Sequence, residues 1–286
     1  MKYLIYTLVA FVAVVTTGCY EDYEQDFAYT AVYFPYQQPM RTVLVDETEV
    51  KVGIVLGGKR TNEVNEYAYL SLATDLIEDQ GVTMLPSTHY TLDLDSDSLV
   101  TIPVGSFQGD FSLNFTEAFF DDPNSIGSNY VLPLRIKQYT TDSVLAGKHY
   151  TMAMFKYINN YHGTYYRAGL DSLDDSENGV VYYRSDTLEL NINTDLVTTG
   201  RNTLSYSDIG LAGALGALEL TVEESGNVTA VVTDQGFGSL TISSFSGTFN
   251  NGVLNLSYWY NYNGVDRKVT ETLTFRDNGL TFEQWE

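Results

Sequence analysis

The chain has 286 residues, and its 37 Asp and Glu against 15 Lys and Arg give a formal net charge of −22. Such a charge makes nucleic acid and anionic lipid surfaces poor partners and suits neutral ligands. The single cysteine excludes an intrachain disulfide and any thiolate metal site.

Met1 and Lys2 open the chain, residues 3–15 (YLIYTLVAFVAVV) are apolar, and Thr16-Thr17-Gly18 leads into Cys19. This is the pattern of a signal peptide with a lipoprotein cleavage site. Residues 1–18 are therefore expected to be removed, and Cys19 to become the acylated N-terminus. The apolar run is too short to span a bilayer, which takes ~20 residues. Acyl chains contribute about 0.8 kcal/mol per buried CH₂, so the expectation is a body outside the cytoplasm held to a membrane by lipid. Residues 19–26 carry Glu21, Asp22, Glu24 and Asp26, and read as an acidic tether too polar to fold alone.

Beyond the tether the composition favours strands. Aromatic residues make up 14 % of the chain, with 23 Tyr, and charged residues only 18 %. No long Ala/Leu/Glu/Lys pattern of period 3.6 occurs, whereas Tyr, Val and Thr abound. Alternating segments at 30–34, 49–56, 67–73, 98–102, 110–116, 129–138 and 150–158 each read as a strand. Gly57-Gly58, Gly81, Gly105 and Asp121-Asp122-Pro123-Asn124 punctuate them. Residues 116–120 suggest a turn of helix. This number of short strands points to an immunoglobulin-like β-sandwich over residues 27–158.

The pattern restarts after Asn159-Asn160-Tyr161-His162-Gly163, at 164–167, 180–191, 218–223, 228–233 and 240–243. Residues 159–286 are expected to form a second β-sandwich or barrel, so the whole body is all-β. Residues 211–216 (LAGALG) are small and apolar, and read as a packed loop; no strand–turn–helix context makes them a phosphate cradle.

Asn263-Gly264 is a strong signal for a two-residue hairpin turn. It sets Tyr262 against Val265, Tyr258 against Val269 and Leu254 against Leu273. Strand alternation then places Leu254, Leu256, Tyr258, Tyr260 and Tyr262 on one face. The other face carries Asn255, Ser257, Trp259 and Asn261, opposite Asp266, Lys268, Thr270 and Thr272. Trp259 thus stands among polar side chains, directly across from Lys268. An indole can stack on the C–H face of a pyranose while Asn255, Asn261, Asp266 and Lys268 bond its hydroxyls. The alternative is a Trp buried beneath a loop or a second layer. Trp285 and the pairs Tyr165-Tyr166 and Tyr182-Tyr183 are weaker candidates.

Catalytic and metal patterns are not found. His89, His149 and His162 are not spaced as a metal pair, and His149 and His162 read as surface or turn residues. Residues 93–98 begin like a calcium loop, but Ser98 stands where Gly is needed and Val104 where an acid is needed; they read as a turn. The adjacent acids Asp121/Asp122, Asp174/Asp175 and Glu223/Glu224 include no evident catalytic pair. Strand neighbours such as Glu223 and Glu224 point to opposite faces. No cofactor or metal is expected, and the chain is not expected to be an enzyme.

Residues 31–37 (AVYFPYQ) with Pro39 and Arg41-Thr42, Leu85-Pro86 with Tyr90-Thr91-Leu92, and Thr101-Ile102-Pro103-Val104-Gly105-Ser106 together resemble a domain common in surface lipoproteins of Bacteroidetes. Residues 130–136 (YVLPLRI), 142–148 (DSVLAGK) and 156–165 (KYINNYHGTY) extend the resemblance over most of 27–166. That domain is an N-terminal β-sandwich of polysaccharide-utilisation proteins, found beside starch-utilisation-like transporters and binding lipoproteins. It also stands in front of family 18 endo-glycosidases. The catalytic motif D-x-x-D-x-D-x-E of those enzymes is missing here. The resemblance implies glycan capture at the outer membrane, as accessory to an import system, with oligo- or polysaccharide and outer-membrane transporter and binding lipoproteins as partners. It further implies that the acids after Cys19 direct export to the outer face. Asp-Ser/Thr motifs at Ser98, Ser143, Ser172 and Thr187 become candidates for O-glycosylation. The alternative function is a structural docking subunit of a transporter complex that binds no sugar.

Replacing Cys19 with Ala should abolish incorporation of labelled palmitate and release the protein from the membrane fraction. Unchanged labelling would reject the lipid anchor.

Overall fold

The computed structural model describes residues 29–94, 98–173, 179–210, 216–235 and 239–285. The signal peptide, Cys19 and the acidic tether lie outside the described residues, as do most of the loop at 211–216 and Asp174/Asp175.

The first unit is made of Ala31–Tyr33 (β1), Pro39–Leu44 (β2), Glu49–Gly57 (β3), Glu66–Leu72 (β4), Thr83–Met84 (β5), Tyr90–Asp93 (β6), Leu99–Ile102 (β7), Gln108–Phe115 (β8), Tyr130–Tyr139 (β9), Ser143–Val144 (β10) and Tyr150–Ile158 (β11). One sheet has the order β10-β1-β3-β8-β6, and the other contains β2-β11-β9-β4-β7 with β5 against β9. The chain changes sheets between β1 and β2, and each then runs parallel to a later strand: β1 to β10, β2 to β11. The strand at Pro39–Leu44 is missing from the sequence reading because its burial does not alternate. The expected helical turn is present at Glu117–Phe120.

The two sheets enclose a core that includes Val32, Ile54, Leu113, Leu132 and Tyr157. Phe115 stacks on Phe119 with centroids 4.1 Å apart and meets Phe155 edge-on at 5.3 Å. Beside this aromatic cluster sits a polar anchor. The Asp122 carboxylate accepts from the Tyr130 hydroxyl at 2.6 Å, from His89 at 3.0 Å and from the Asn124 backbone N–H at 2.9 Å. Burial pushes its pKa up, but these bonds, Tyr130 foremost, outweigh burial and hold it at about 2.

The second unit is made of Gly163–Ser172 (β12), Val181–Tyr183 (β13), Ile192–Thr198 (β14), Thr203–Tyr206 (β15), Ala217–Val222 (β16), Asn227–Asp234 (β17), Leu240–Asn250 (β18), Val253–Tyr262 (β19) and Val265–Asp277 (β20). These form one nine-stranded antiparallel sheet in which β20 pairs back onto β12. The expectation of a sandwich or a barrel resolves to a closed barrel, with β13 as a short flap against the far half of β12. Residues 180–191 are not one strand. After Tyr183 the Ser185 N–H bonds the Asn191 side chain at 2.7 Å, and a 3₁₀ turn forms at Leu188–Leu190. Such side-chain bonds offer the backbone an alternative to the ladder.

The barrel interior mixes aliphatic residues with a buried ionic network. Arg167 Nε donates to Glu271 Oε2 at 2.8 Å. The hydroxyls of Tyr183, Tyr206 and Tyr258 donate to the same carboxylate at 2.8, 2.8 and 3.1 Å. Burial first, and the Glu271 carboxylate second, push these hydroxyls well above the ordinary tyrosine range, so they remain donors. A second pair lies close by: Asp171 accepts from Arg267 and, at 2.8 Å, from the Tyr260 hydroxyl. Gly169 faces Glu271 across the closing seam, and a Cβ there would approach Glu271 Cβ to 2.7 Å.

The segment after Asp277 leaves the barrel. Glu283–Gln284 (β21) pairs with β2 of the sandwich. Trp285 is buried with Val131, Met152 and Met154, its indole N–H donating to the Met152 carbonyl at 2.9 Å. The last residues of the expected second domain, 159–286, therefore pack in the first. Trp285 is a core residue and not a sugar platform, because its ring fills a sandwich pocket and its only polar atom is satisfied.

Two predictions follow from these polar anchors. Asp122 is more acidic folded than unfolded, where its pKa is near 3.9. Its contribution, about 2 kcal/mol, is present above pH ~4 and lost as pH falls towards 2. Asp122→Asn should remove that amount at neutral pH and flatten the acid limb of stability measured by denaturant unfolding. Glu271→Leu should cost roughly 3–5 kcal/mol by the same measurement, because it leaves a buried guanidinium without its carboxylate.

Candidate functional site

The hairpin of β19 and β20 has the register expected from its turn. Tyr262 stands opposite Val265, Trp259 opposite Lys268, Asn255 opposite Thr272 and Leu254 opposite Leu273. Asn263 and Gly264 take φ of 53° and 84°, the positive values a type I′ turn needs. Leu254, Leu256, Tyr258 and Tyr260 are buried in the barrel, and alternation turns the intervening residues outward.

The five candidate residues share this outer face but divide into two groups. Asn261 donates to Asp266 at 2.7 Å and accepts from the Gly264 N–H at 3.0 Å. Both residues thus brace the turn, and neither is positioned chiefly for a ligand. Trp259 is half-buried, with the Lys268 ammonium 6.0 Å from its ring centroid. Asn255 is exposed, and its Oδ1 accepts from the Thr272 hydroxyl at 2.9 Å.

Next to Trp259 lies an open groove of about 370 Å³, lined by Asn227, Ser246, Gly247, Thr248, Asn255, Leu256, Ser257, Thr270, Glu271 and Thr272. Ser257 and Thr270 face each other in the strand register, one outward step from the Trp259–Lys268 pair. Ser246 pairs with Ser257 and Thr248 with Asn255 from the other side. The contribution of β18 is absent from the sequence reading for a local reason. A bulge separates Ser243 from Ser246, with Ser244 at φ 50°. The bulge reverses the alternation, so the apparent strand ends at 243 while the real one continues to Asn250.

Other candidates fall elsewhere. Tyr165 is fully buried and Tyr183 belongs to the Glu271 network. Tyr182 is 47 % exposed beneath the Arg184 guanidinium, and Tyr166 lies under Arg276. Asp171 and Ser172 are buried, which removes Ser172 from the modification candidates. Of the histidines, His89 is buried on Asp122. His162 is half-buried, accepts from the Thr198 N–H at 3.1 Å and has its pKa lowered by burial. Among the described residues no group of three or more His, Cys, Asp or Glu could hold a metal ion.

The outer face therefore offers one indole, one ammonium and a run of hydroxyls and amides. That set can stack on an apolar sugar face and bond its hydroxyls, and the same face carries the Asp266 carboxylate, which Asn261 holds at the turn.

A family model described as "-like, N-terminal domain" matches residues 23–143. No protein with a curated description matches the chain. Among solved structures, a protein of unknown function from Bacteroides ovatus superposes with a TM-score of 0.77 at 21 % identity, covering 90 % of this chain and 98 % of that one. A multidomain protein of the same organism gives 0.46 at 13 % identity, covering 89 % and 99 %. An auxiliary nutrient binding protein from Bacteroides thetaiotaomicron gives 0.41 at 12 % identity, covering 79 % and 82 %. The last two scores are too low to bear on this chain. The first establishes that the whole two-part, all-β architecture is shared with a Bacteroides protein.

Proposed function

We propose that this protein is a cell-surface lipoprotein that binds oligo- or polysaccharide as accessory to an outer-membrane glycan import system, without hydrolysing it. The observation that carries the reading is the outward Trp259 set beside a groove walled by hydroxyl and amide side chains. An apolar platform with a few convergent polar groups suits a pyranose, whose two faces are less polar than its rim. The Cys19 lipid site and the acidic tether supply the anchor, and the resemblance of the first unit to surface lipoproteins supplies the setting.

One observation favours the alternative, a docking subunit that touches no sugar. Val181, Tyr182, Leu188, Leu190 and Ile192 are all exposed, Leu190 to 74 %. Such a patch can serve a protein interface.

A glycan array probed with the full chain tests the reading. Binding to one polysaccharide class is expected, weakened in Trp259→Ala by at least about 2 kcal/mol, roughly thirtyfold. Binding that survives the substitution would keep the function and reject the site. A blank array, with co-purification of outer-membrane proteins, would favour the docking subunit.

A further inference from the structure

Resting on that glycan-binding reading, we propose that the site takes a linear, uncharged polysaccharide over about three or more consecutive sugar units, running from the Trp259 platform into the adjoining groove. The groove and the platform are one surface. Trp259, Ser257 and Asn255 are successive outward residues of one strand, and Lys268, Thr270 and Thr272 are their partners. From Trp259 to Asn255 is four strand residues, about 13 Å at ~3.3 Å each. That is longer than any monosaccharide. The groove is open, so nothing in its lining marks an end where a chain must stop.

The walls identify the chemistry. Asn227, Ser246, Thr248, Asn255, Ser257, Thr270 and Thr272 are all uncharged. The one charged residue of the lining, Glu271, turns its carboxylate inward to Arg167. Hydroxyl and amide side chains match the donors and acceptors of neutral sugars. An anionic chain would find Lys268 alone among them, on a protein of net charge −22. The single indole anchors one unit, so further units add mainly hydrogen bonds and affinity should grow with length. The walls stand on barrel strands and are partly pre-oriented: Thr272 donates to Asn255 at 2.9 Å, and Ser246 to the Ser257 carbonyl at 3.4 Å. That pre-orientation lowers the ordering cost of binding.

Calorimetric titration of the full chain with cello-, xylo-, malto-, laminari- and manno-oligosaccharides of one to six units, and with oligogalacturonides, tests this. For at least one neutral series, affinity should rise about tenfold or more from the disaccharide to the tetrasaccharide. Thr270→Ile, which removes a groove hydroxyl at an exposed strand position suited to a β-branched residue, should cut that rise by about threefold or more. Thr248→Ile does the same from β18, on the other side of β19, should the first variant fail to fold. Equal wild-type affinity for disaccharide and tetrasaccharide, an unchanged tetrasaccharide affinity in the folded variant, or preference for the oligogalacturonide would overturn the inference. Lack of binding to every neutral series beside a positive array would overturn it and leave the glycan reading standing. A blank array would remove both.

Discussion

The barrel depends on one buried carboxylate. Glu271 on β20 receives Arg167 from β12 and the hydroxyls of Tyr183, Tyr206 and Tyr258 from β13, β15 and β19. An ionised group out of water costs several kcal/mol unless it is paired and its lone pairs are filled. Here every donor comes from a different strand, so the carboxylate is satisfied only when those strands converge. Closure of β20 onto β12 and satisfaction of Glu271 are therefore the same event. A one-residue slip of β20 would place Glu271 outside and bring Thr270 and Thr272 into the aliphatic interior.

That constraint also sets the outer surface. Tyr258 and Tyr260 are held inward by bonds to Glu271 and Asp171, so Trp259 between them must face out. The same parity presents Asn255, Ser257, Thr270 and Thr272. The bulge in β18 then brings Ser246 and Thr248 alongside, which turns a two-stranded polar ribbon into a groove. The proposed glycan face is thus a consequence of how the interior is satisfied, and a rigid one, since it rests on strands and not on loops.

The sandwich is organised by similar logic on a smaller scale. Asp122 gathers Tyr130, His89 and the Asn124 backbone beside the Phe115–Phe119 stack. The two units are joined by the short passage from Ile158 to Gly163, by the terminal strand with Trp285 seated in the sandwich, and by Arg201 of the barrel, which pairs with Glu117 and Asp121 of the sandwich. Lys156 and Glu283 add an ion pair at 3.0 Å between the last sandwich strand and the returning tail. With residues 283–285 packed against the sandwich, the two units cannot swing as freely as a single linker would allow.

The sequence by itself determined the all-β class, the positions of most strands, and the register and facing of the final hairpin. These rest on local rules: period-two alternation, and the positive φ that Asn-Gly accepts. It also placed Trp259 on the polar face, since a two-residue turn leaves no freedom of register. Only the tertiary structure decided that the second unit closes, because closure lies in pairing between residues about a hundred positions apart. Tertiary context likewise made Tyr258 and Tyr260 polar ligands of buried acids, where alternation shows only large aromatic side chains facing in. It extended β18 past a bulge that breaks the period, split residues 180–191 through the Asn191 side-chain bond, and drew Trp285 back to the sandwich. In each of these cases the deciding contact is either non-local or a side-chain bond that competes with the ladder, and neither leaves a periodic trace along the chain.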